Sequence, residues 1–311
     1  MINRYKIQSC GKTILFQTYD KDVIDYLLND PLPLNHIPCY KINPAKDNAT
    51  ESEQLFTFVH QLGHEVNLSY DSTKLKMVLT STGKIPGGQF IFAFLPIFEH
   101  LYELEGLYGL HAGLVILNEH AVFLIGDTKT GKSTISAKLH YDFGADFVAD
   151  EKSIISLAKG QIYTGSSILS LRDSAIKNAK IKNIEIYRLS NSKSTSKNYY
   201  RPKNNLSYPI DIKKALFVFP HFGNVELTVE TPNDFILTYM LYENITATIR
   251  SCISVFVSES VGMPSMDNEN LSTKRALNFR NYLSKIPHKC LDVTGNFDEI
   301  CNYILSETLK R

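Results

Sequence analysis

Ala121-Val122-Phe123-Leu124-Ile125-Gly126-Asp127-Thr128-Lys129-Thr130-Gly131-Lys132-Ser133-Thr134 is the stretch on which the reading of this chain turns. From Gly126 it fits G-x-x-x-x-G-K-[ST], the phosphate-binding loop. The five apolar residues before it read as a buried strand. Behind it, Ile135, Leu139 and Phe143 recur every fourth residue on one helix face, and Gly144 supplies a stop. Glycines let the backbone curl so that successive N–H groups converge on phosphate oxygens. The helix that begins near Lys132 adds its positive dipole end. Lys132 has the reach for the β/γ-phosphates, and the Ser133 hydroxyl is placed to ligate Mg²⁺. Gly126, Asp127, Thr128, Lys129, Thr130, Gly131, Lys132, Ser133 and Thr134 are therefore the candidate nucleotide-binding residues.

One helix downstream, Ala145 to Ala149 reads as another short apolar strand, and it ends in Asp150-Glu151. Carboxylates at that strand end point back towards the phosphates, where a metal ligand and a catalytic base belong. Upstream, Leu110 to Leu117 reads as one strand and carries His111; Asn118-Glu119-His120 is its turn into the strand before the loop.

Composition sets the background. The 311 residues give one large or two smaller domains with ample core. Thirty-three basic against thirty-two acidic side chains leave no global field for nucleic acid or an anionic membrane. Cys10, Cys39, Cys252, Cys290 and Cys301 are odd in number, scattered and without a C-x-x-C pair, which points to reduced thiols in a cytoplasm. The start of the chain has no signal-peptide core, and no apolar run approaches membrane-spanning length.

Residues 1–95 read as a small α+β domain. Its expected strands are Arg4–Ile7, Thr13–Gln17, Val66–Tyr70 and Lys76–Leu79; its expected helices are Asp22–Leu28 and Glu53–Leu62. Asp30 to Leu34 is expected to be a rigid connector and Asn43 to Asn48 a polar loop. On the second helix His60 and His64 would share a face, although no third metal ligand stands nearby. Thr82 to Gly88 reads as a hairpin turn or the domain boundary, and Phe90–Glu105 as an apolar helix.

Downstream, Ser153–Leu157 and Gln161–Tyr163 read as a hairpin. Ser190 to Ser207, with Lys193, Lys197, Arg201 and Lys203, has a composition that resists core burial and is expected to be either a mobile basic lid or a solvated loop. Ala215–Phe219 and Val225–Glu230 read as strands separated by Pro220 to Asn224. Helices are expected at Asp234–Tyr242, Arg275–Ile286 and Phe297–Leu309, with a short strand at Leu291–Val293.

The order His111-x-Gly113, then Gly126 to Ser133, then Val148-Ala149-Asp150-Glu151 resembles the catalytic domain of the HPr kinase/phosphorylase family. It is similar above all to the broader HPr-kinase-like group, which includes kinases of peptide natural-product clusters. The similarity is strong from Leu110 to Arg172. It implies a phosphoenolpyruvate-carboxykinase-like P-loop kinase domain with a mixed sheet over residues 96–311. Asp150 matches the family Asp that takes the proton of the acceptor hydroxyl, Glu151 the Asp that helps hold Mg²⁺, and His111 a histidine near the phosphates. The family's Leu-Glu-Ile-Arg appears here as Leu169-Ser170-Leu171-Arg172, which keeps Arg172 to neutralise phosphoryl charge but replaces the magnesium-supporting glutamate with Ser170. The signature for binding HPr and reversing the reaction is missing.

These readings converge on a cytoplasmic, Mg²⁺-dependent kinase that uses ATP, with GTP an open alternative, and acts on a hydroxyl, with a serine of a peptide or protein favoured. Asp150, His111, Lys132 and Arg172 are the candidate catalytic residues, and Ser133 and Glu151 the candidate metal ligands. A small-molecule hydroxyl acceptor and a non-catalytic nucleotide-binding regulatory module stay open, as does homo-oligomerisation.

Overall fold

The computed structural model describes residues 2–45, 55–181, 184, 188–191, 196–203, 206–252, 254–256 and 260–310. The chain is an α+β protein with several mixed sheets.

Alternating apolar and polar residues build the first sheet. Its strands are β1 (Asn3–Ser9), β2 (Lys12–Thr18), β3 (Lys41–Pro44), β4 (Phe56–Leu62), β5 (Asn67–Asp71) and β6 (Lys76–Ser81), in the order β3-β1-β2-β4-β6-β5. β2, β4 and β6 run parallel, and the other pairs are antiparallel. After β2 comes α1 (Lys21–Asn29), capped by the Asp20 carboxylate on the Asp22 amide, and then the short α2 (Leu32–His36).

Helix α3 (Gly87–Glu103) covers this sheet. It is apolar around most of its circumference and so is buried on nearly every side. Phe90 and Phe94 pack against Phe16 and Phe58 of the sheet, with ring centroids 5.2–6.1 Å apart. Pro96 inside the helix removes the hydrogen bond to the Phe92 carbonyl; the Ser254 hydroxyl donates to that oxygen instead, at 2.7 Å. Residues 95 and 96 lie mid-helix, and the core around α3 also takes in Ile154, Tyr199, Ile249 and Phe256 from far along the chain.

The remaining elements follow in order: β7 (Leu107–Leu110), β8 (Ala112–Leu117), β9 (His120–Ile125), α4 (Lys132–Phe143), β10 (Asp146–Ala149), β11 (Ser153–Ser156), β12 (Gln161–Gly165) and β13 (Leu169–Leu171). Next come α5 (Asp173–Ala179), β14 (Arg188–Asn191), β15 (Asn198–Tyr200), β16 (Ile210–Asp211), β17 (Lys214–Phe222) and β18 (Thr228–Glu230). The last are α6 (Asp234–Ile249), β19 (Val255–Phe256), β20 (Val261–Gly262), α7 (Glu269–Leu283), β21 (His288–Gly295) and α8 (Phe297–Leu309).

A second six-stranded sheet has the order β10-β8-β9-β17-β21-β18. Its centre is parallel, β9 to β17 to β21, and its flanks are antiparallel. Because β8, β9 and β17 up to Phe219 are buried on both faces, they read as continuous apolar runs. Phe123 and Phe217 face α6 and α7, whereas Val122, Leu124 and Val218 face α4 and α8. Smaller sheets, β16-β12-β11-β7, β13-β15-β14 and β19-β20, complete the fold.

Several expectations need correction. Residues 56–62 form strand β4, not a helix: Phe56, Phe58 and His60 alternate inward at period two. His60 is buried between the Thr18 and Ser81 hydroxyls, at 2.9 and 3.0 Å, while His64 is exposed, so the two share no face. The expected connector at residues 30–34 enters α2, whose first turn accommodates Pro33. Asn43 and Pro44 end β3, whereas residues 46–48 lie outside the described ones. The expected strand Leu110–Leu117 breaks at His111 and feeds two different sheets. β17 runs on through Pro220, which needs no ladder donor there, and β18 is shorter than expected. Within 190–207, Lys193 lies outside the described residues, but Asn198, Tyr199 and Tyr200 form a buried strand rather than a solvated loop.

Candidate functional site

The glycine loop of residues 126–131 connects β9 to α4, as the strand and helix patterns predict. Its turn needs backbone that L side chains rarely adopt: Gly126 has φ +151° and Gly131 φ +100°, with Lys129 also left-handed at +75°. A Cβ on Gly131 would also lie 3.0 Å from the Phe297 ring. The Thr130 hydroxyl donates to the Asp127 carbonyl at 3.0 Å and tightens the loop. Lys132 Nζ donates to the Gly126 and Asp127 carbonyls, so its ammonium sits inside the curve of the loop. Burial lowers the Lys132 pKa, and Glu151, Asp150 and Asp127 oppose that shift.

Strand direction brings three more groups to the same edge. β8 runs antiparallel to β9 with Ala112 opposite Ile125, so His111 stands across from Gly126. β10 is antiparallel to β8 and hence parallel to β9, which delivers Asp150 and Glu151 to the end where the loop begins.

The two acids have different surroundings. Asp150 is fully buried. Its Oδ2 accepts the Ser170 amide at 2.8 Å, the Ser170 hydroxyl at 2.9 Å and the Asn35 amide at 3.2 Å. Its Oδ1 is buried without a hydrogen bond of good geometry, and the Ser133 hydroxyl lies close enough to lower the carboxyl's pKa. Burial, then Glu151, nevertheless raise that pKa on balance. Glu151 lines the cleft, with Oε2 3.7 Å from His111 Nε2 and Oε1 3.5 Å from Lys197 Nζ. Burial pushes its pKa up, but His36, His111, Lys197 and Lys132 outweigh this and keep it ionised. Burial lowers the His111 pKa to about 4, so its ring is neutral at pH 7. Of the two acids, Glu151 lines the cleft and Asp150 lies buried beside it.

Ser170 holds Asp150 through both its amide and its hydroxyl and also accepts from Lys197 at 3.2 Å. Arg172 is exposed on the cleft wall where α5 begins. Asn35 and His36 of α2 were not anticipated. Asn35 bonds Asp150 and the Ile168 carbonyl, and His36 lines the cleft with its ring 5.2 Å from Phe92. No local motif marks them; the only sequence signal is a polar pair following an apolar, proline-rich stretch.

The cleft measures about 2240 Å³ and runs from the glycine loop to α1, α3 and α6. That is beyond the ~300–1,000 Å³ of a pocket for one small ligand. Among the described residues no cluster of three or more His, Cys, Asp or Glu is arranged to hold a metal, and no helix is long and apolar enough to cross a membrane. The chain matches no protein-family model and no curated protein.

Proposed function

We propose that this chain is a kinase that transfers the γ-phosphoryl group of ATP, or of GTP, to a hydroxyl with the help of Mg²⁺. The observation that carries the reading is the convergence, in one cleft, of the phosphate loop with an ionised Glu151 and a buried Asp150 behind it. The loop amides and Lys132 would neutralise the phosphates, and Arg172 and Lys197 would balance charge that builds up on the transferred group. The residues present fit a magnesium ion: the Ser133 hydroxyl would ligate it beside the unbonded Asp150 Oδ1, with phosphate oxygens completing the set. Bound there, the ion would neutralise phosphate charge. Glu151 would accept the proton of the acceptor hydroxyl, and neutral His111 would orient that carboxylate. Against the family pattern, the roles of the two acids are therefore exchanged.

The acceptor is a serine of a peptide or protein in this reading. The cleft is larger than a nucleotide requires, and the HPr-kinase-like resemblance points the same way. A small hydroxylic metabolite is the second reading, and the cytoplasm is the proposed setting. The test uses γ-labelled ATP and Mg²⁺ with a cell extract split into peptide and small-molecule fractions. Label on a peptide serine, lost in Glu151→Gln and in Lys132→Ala, is expected. Label on a metabolite alone would move the protein to the second reading. Nucleotide binding with no Glu151-dependent label in either fraction would make it a regulatory module.

A further inference from the structure

Cys10 follows β1 and Cys39 precedes β3, and these strands pair antiparallel. Tyr5 faces Pro44 and Gln8 faces Lys41. Just past this pairing both segments turn, and Cys10 and Cys39 each take left-handed backbone, at φ +49° and +52°. Cys10 Sγ lies 3.8 Å from the carbonyl of Pro38, the residue next to Cys39. Cys39 is exposed and Cys10 half-buried.

The two thiols are unlike in the way a redox pair requires. The hydrogen bond from Cys10, followed by the effects of Thr164 and Lys41, lowers the Cys39 pKa to about 6 despite partial burial. The Cys10 thiol is pushed up by the same bond and by burial. An exposed thiolate beside a protonated resolving thiol is the arrangement of a redox-sensing cysteine.

The pair adjoins the acid centre. Cys39 lies three residues beyond His36, on the segment that leaves α2, and α2 carries Asn35 onto Asp150. On its other side Cys39 Sγ contacts Thr164 Oγ1 at 3.3 Å. Two residues past Thr164, the Ser166 hydroxyl accepts the backbone amides of Glu151 and Lys152, each at 3.2 Å.

We propose that Cys10 and Cys39 close into a reversible disulfide, and that closure draws Cys39 from Thr164, shifts α2 against Asp150 and slows phosphoryl transfer. The last clause rests on the kinase reading; the disulfide and the shift do not. With hydrogen peroxide as oxidant, the Cys39 thiolate attacks one oxygen, hydroxide leaves and a sulfenic acid forms. The Cys10 thiol then attacks the Cys39 sulfur, water leaves and the S–S bond forms. That water carries the Cys10 proton, and the hydroxide of the first step takes from solvent the proton that Cys39 gave up on ionising, so two thiols are oxidised while one peroxide becomes two waters. A dithiol reductant returns both thiols.

The test treats the full-length protein, carrying Cys252→Ser to remove a second exposed thiol, with hydrogen peroxide and then with dithiothreitol. Peptide mapping should find one cross-link, between residues 10 and 39, and the intact mass should fall by two hydrogens. Hydrogen exchange across residues 32–39 should rise on oxidation and recover on reduction. Transfer should slow on the order of tenfold or more. Cys39→Ser should abolish the cross-link and the peroxide sensitivity, and Cys10→Ser should leave Cys39 as a sulfenic acid that dimedone traps. A Cys39 that stays reduced, or a cross-link that leaves exchange over α2 unchanged, would overturn the proposal. If reduced protein shows no transfer at all, the kinase reading fails, while mass and exchange still decide the switch.

Discussion

Asp150 and Glu151 are neighbours in the chain, yet their carboxyls experience opposite fields. Desolvation dominates at Asp150 and raises its pKa, whereas the basic side chains around Glu151 overcome desolvation and lower its pKa. Two acids pushed apart in this way can divide the work, one ionised and accepting, the other buried and positioning. Glu151→Gln is expected to slow transfer ~10²- to 10⁴-fold while nucleotide affinity holds, as single-turnover and equilibrium binding would show. Asp150→Asn should instead raise the Mg²⁺ concentration needed for half-maximal rate. Because the Glu151 pKa is depressed, the rate should be flat near neutrality and fall only as acid protonates that group. His60 offers a separate test of burial. Desolvation lowers its pKa to about 4 from an ordinary 6.5, so the folded state binds fewer protons than the unfolded state between those values. Its contribution is therefore full above pH 6.5 and is lost as pH falls towards 4. Denaturant titration at pH 5 should find the protein less stable than at pH 7 by about 2 kcal/mol from this group, a difference that His60→Gln removes.

At the scale of elements, the glycine loop between β9 and α4 was legible because its conformation is local. Glycines at positive φ, a strand before and a helix after are all written within twenty residues or so. Gly131→Ala adds a Cβ at φ +100° against the Phe297 ring; nucleotide affinity measured by calorimetry should drop at least tenfold. Helix α8 was legible for the same reason, since Asn296 and Glu299 form a reciprocal capping box. β4 does not stand out in the sequence because His60 counts as polar, although its two hydroxyl partners let it point into the core. α2 was missed because its prolines look like a connector. Its contribution is measurable: Asn35→Ala leaves the Ile168 carbonyl without its side-chain donor and Asp150 with one donor fewer. Thermal or denaturant unfolding should show a loss of about 1–3 kcal/mol, together with slower transfer.

For the molecule as a whole, α3 is the shared wall, packed on the first sheet and on β7 and α6 alike. Phe94, fully buried against Phe16, Phe58 and Phe90, anchors that wall. Phe94→Ala should cost about 3–5 kcal/mol in chemical denaturation. Should the two ends of the chain unfold as one cooperative unit, that loss will shift a single transition rather than split it.

The amino-acid sequence by itself determined the glycine loop, the strand and helix that frame it, and the arrival of two carboxylates one helix later, because each depends on short-range backbone preference and periodicity. Only the tertiary structure decided which acid meets the cleft. That choice rests on Asn35, 115 positions upstream of Asp150, on Ser170 behind it and on Lys197 beyond, brought together by the sheet order. Desolvation and charge proximity are properties of the assembled neighbourhood, and no local pattern encodes them.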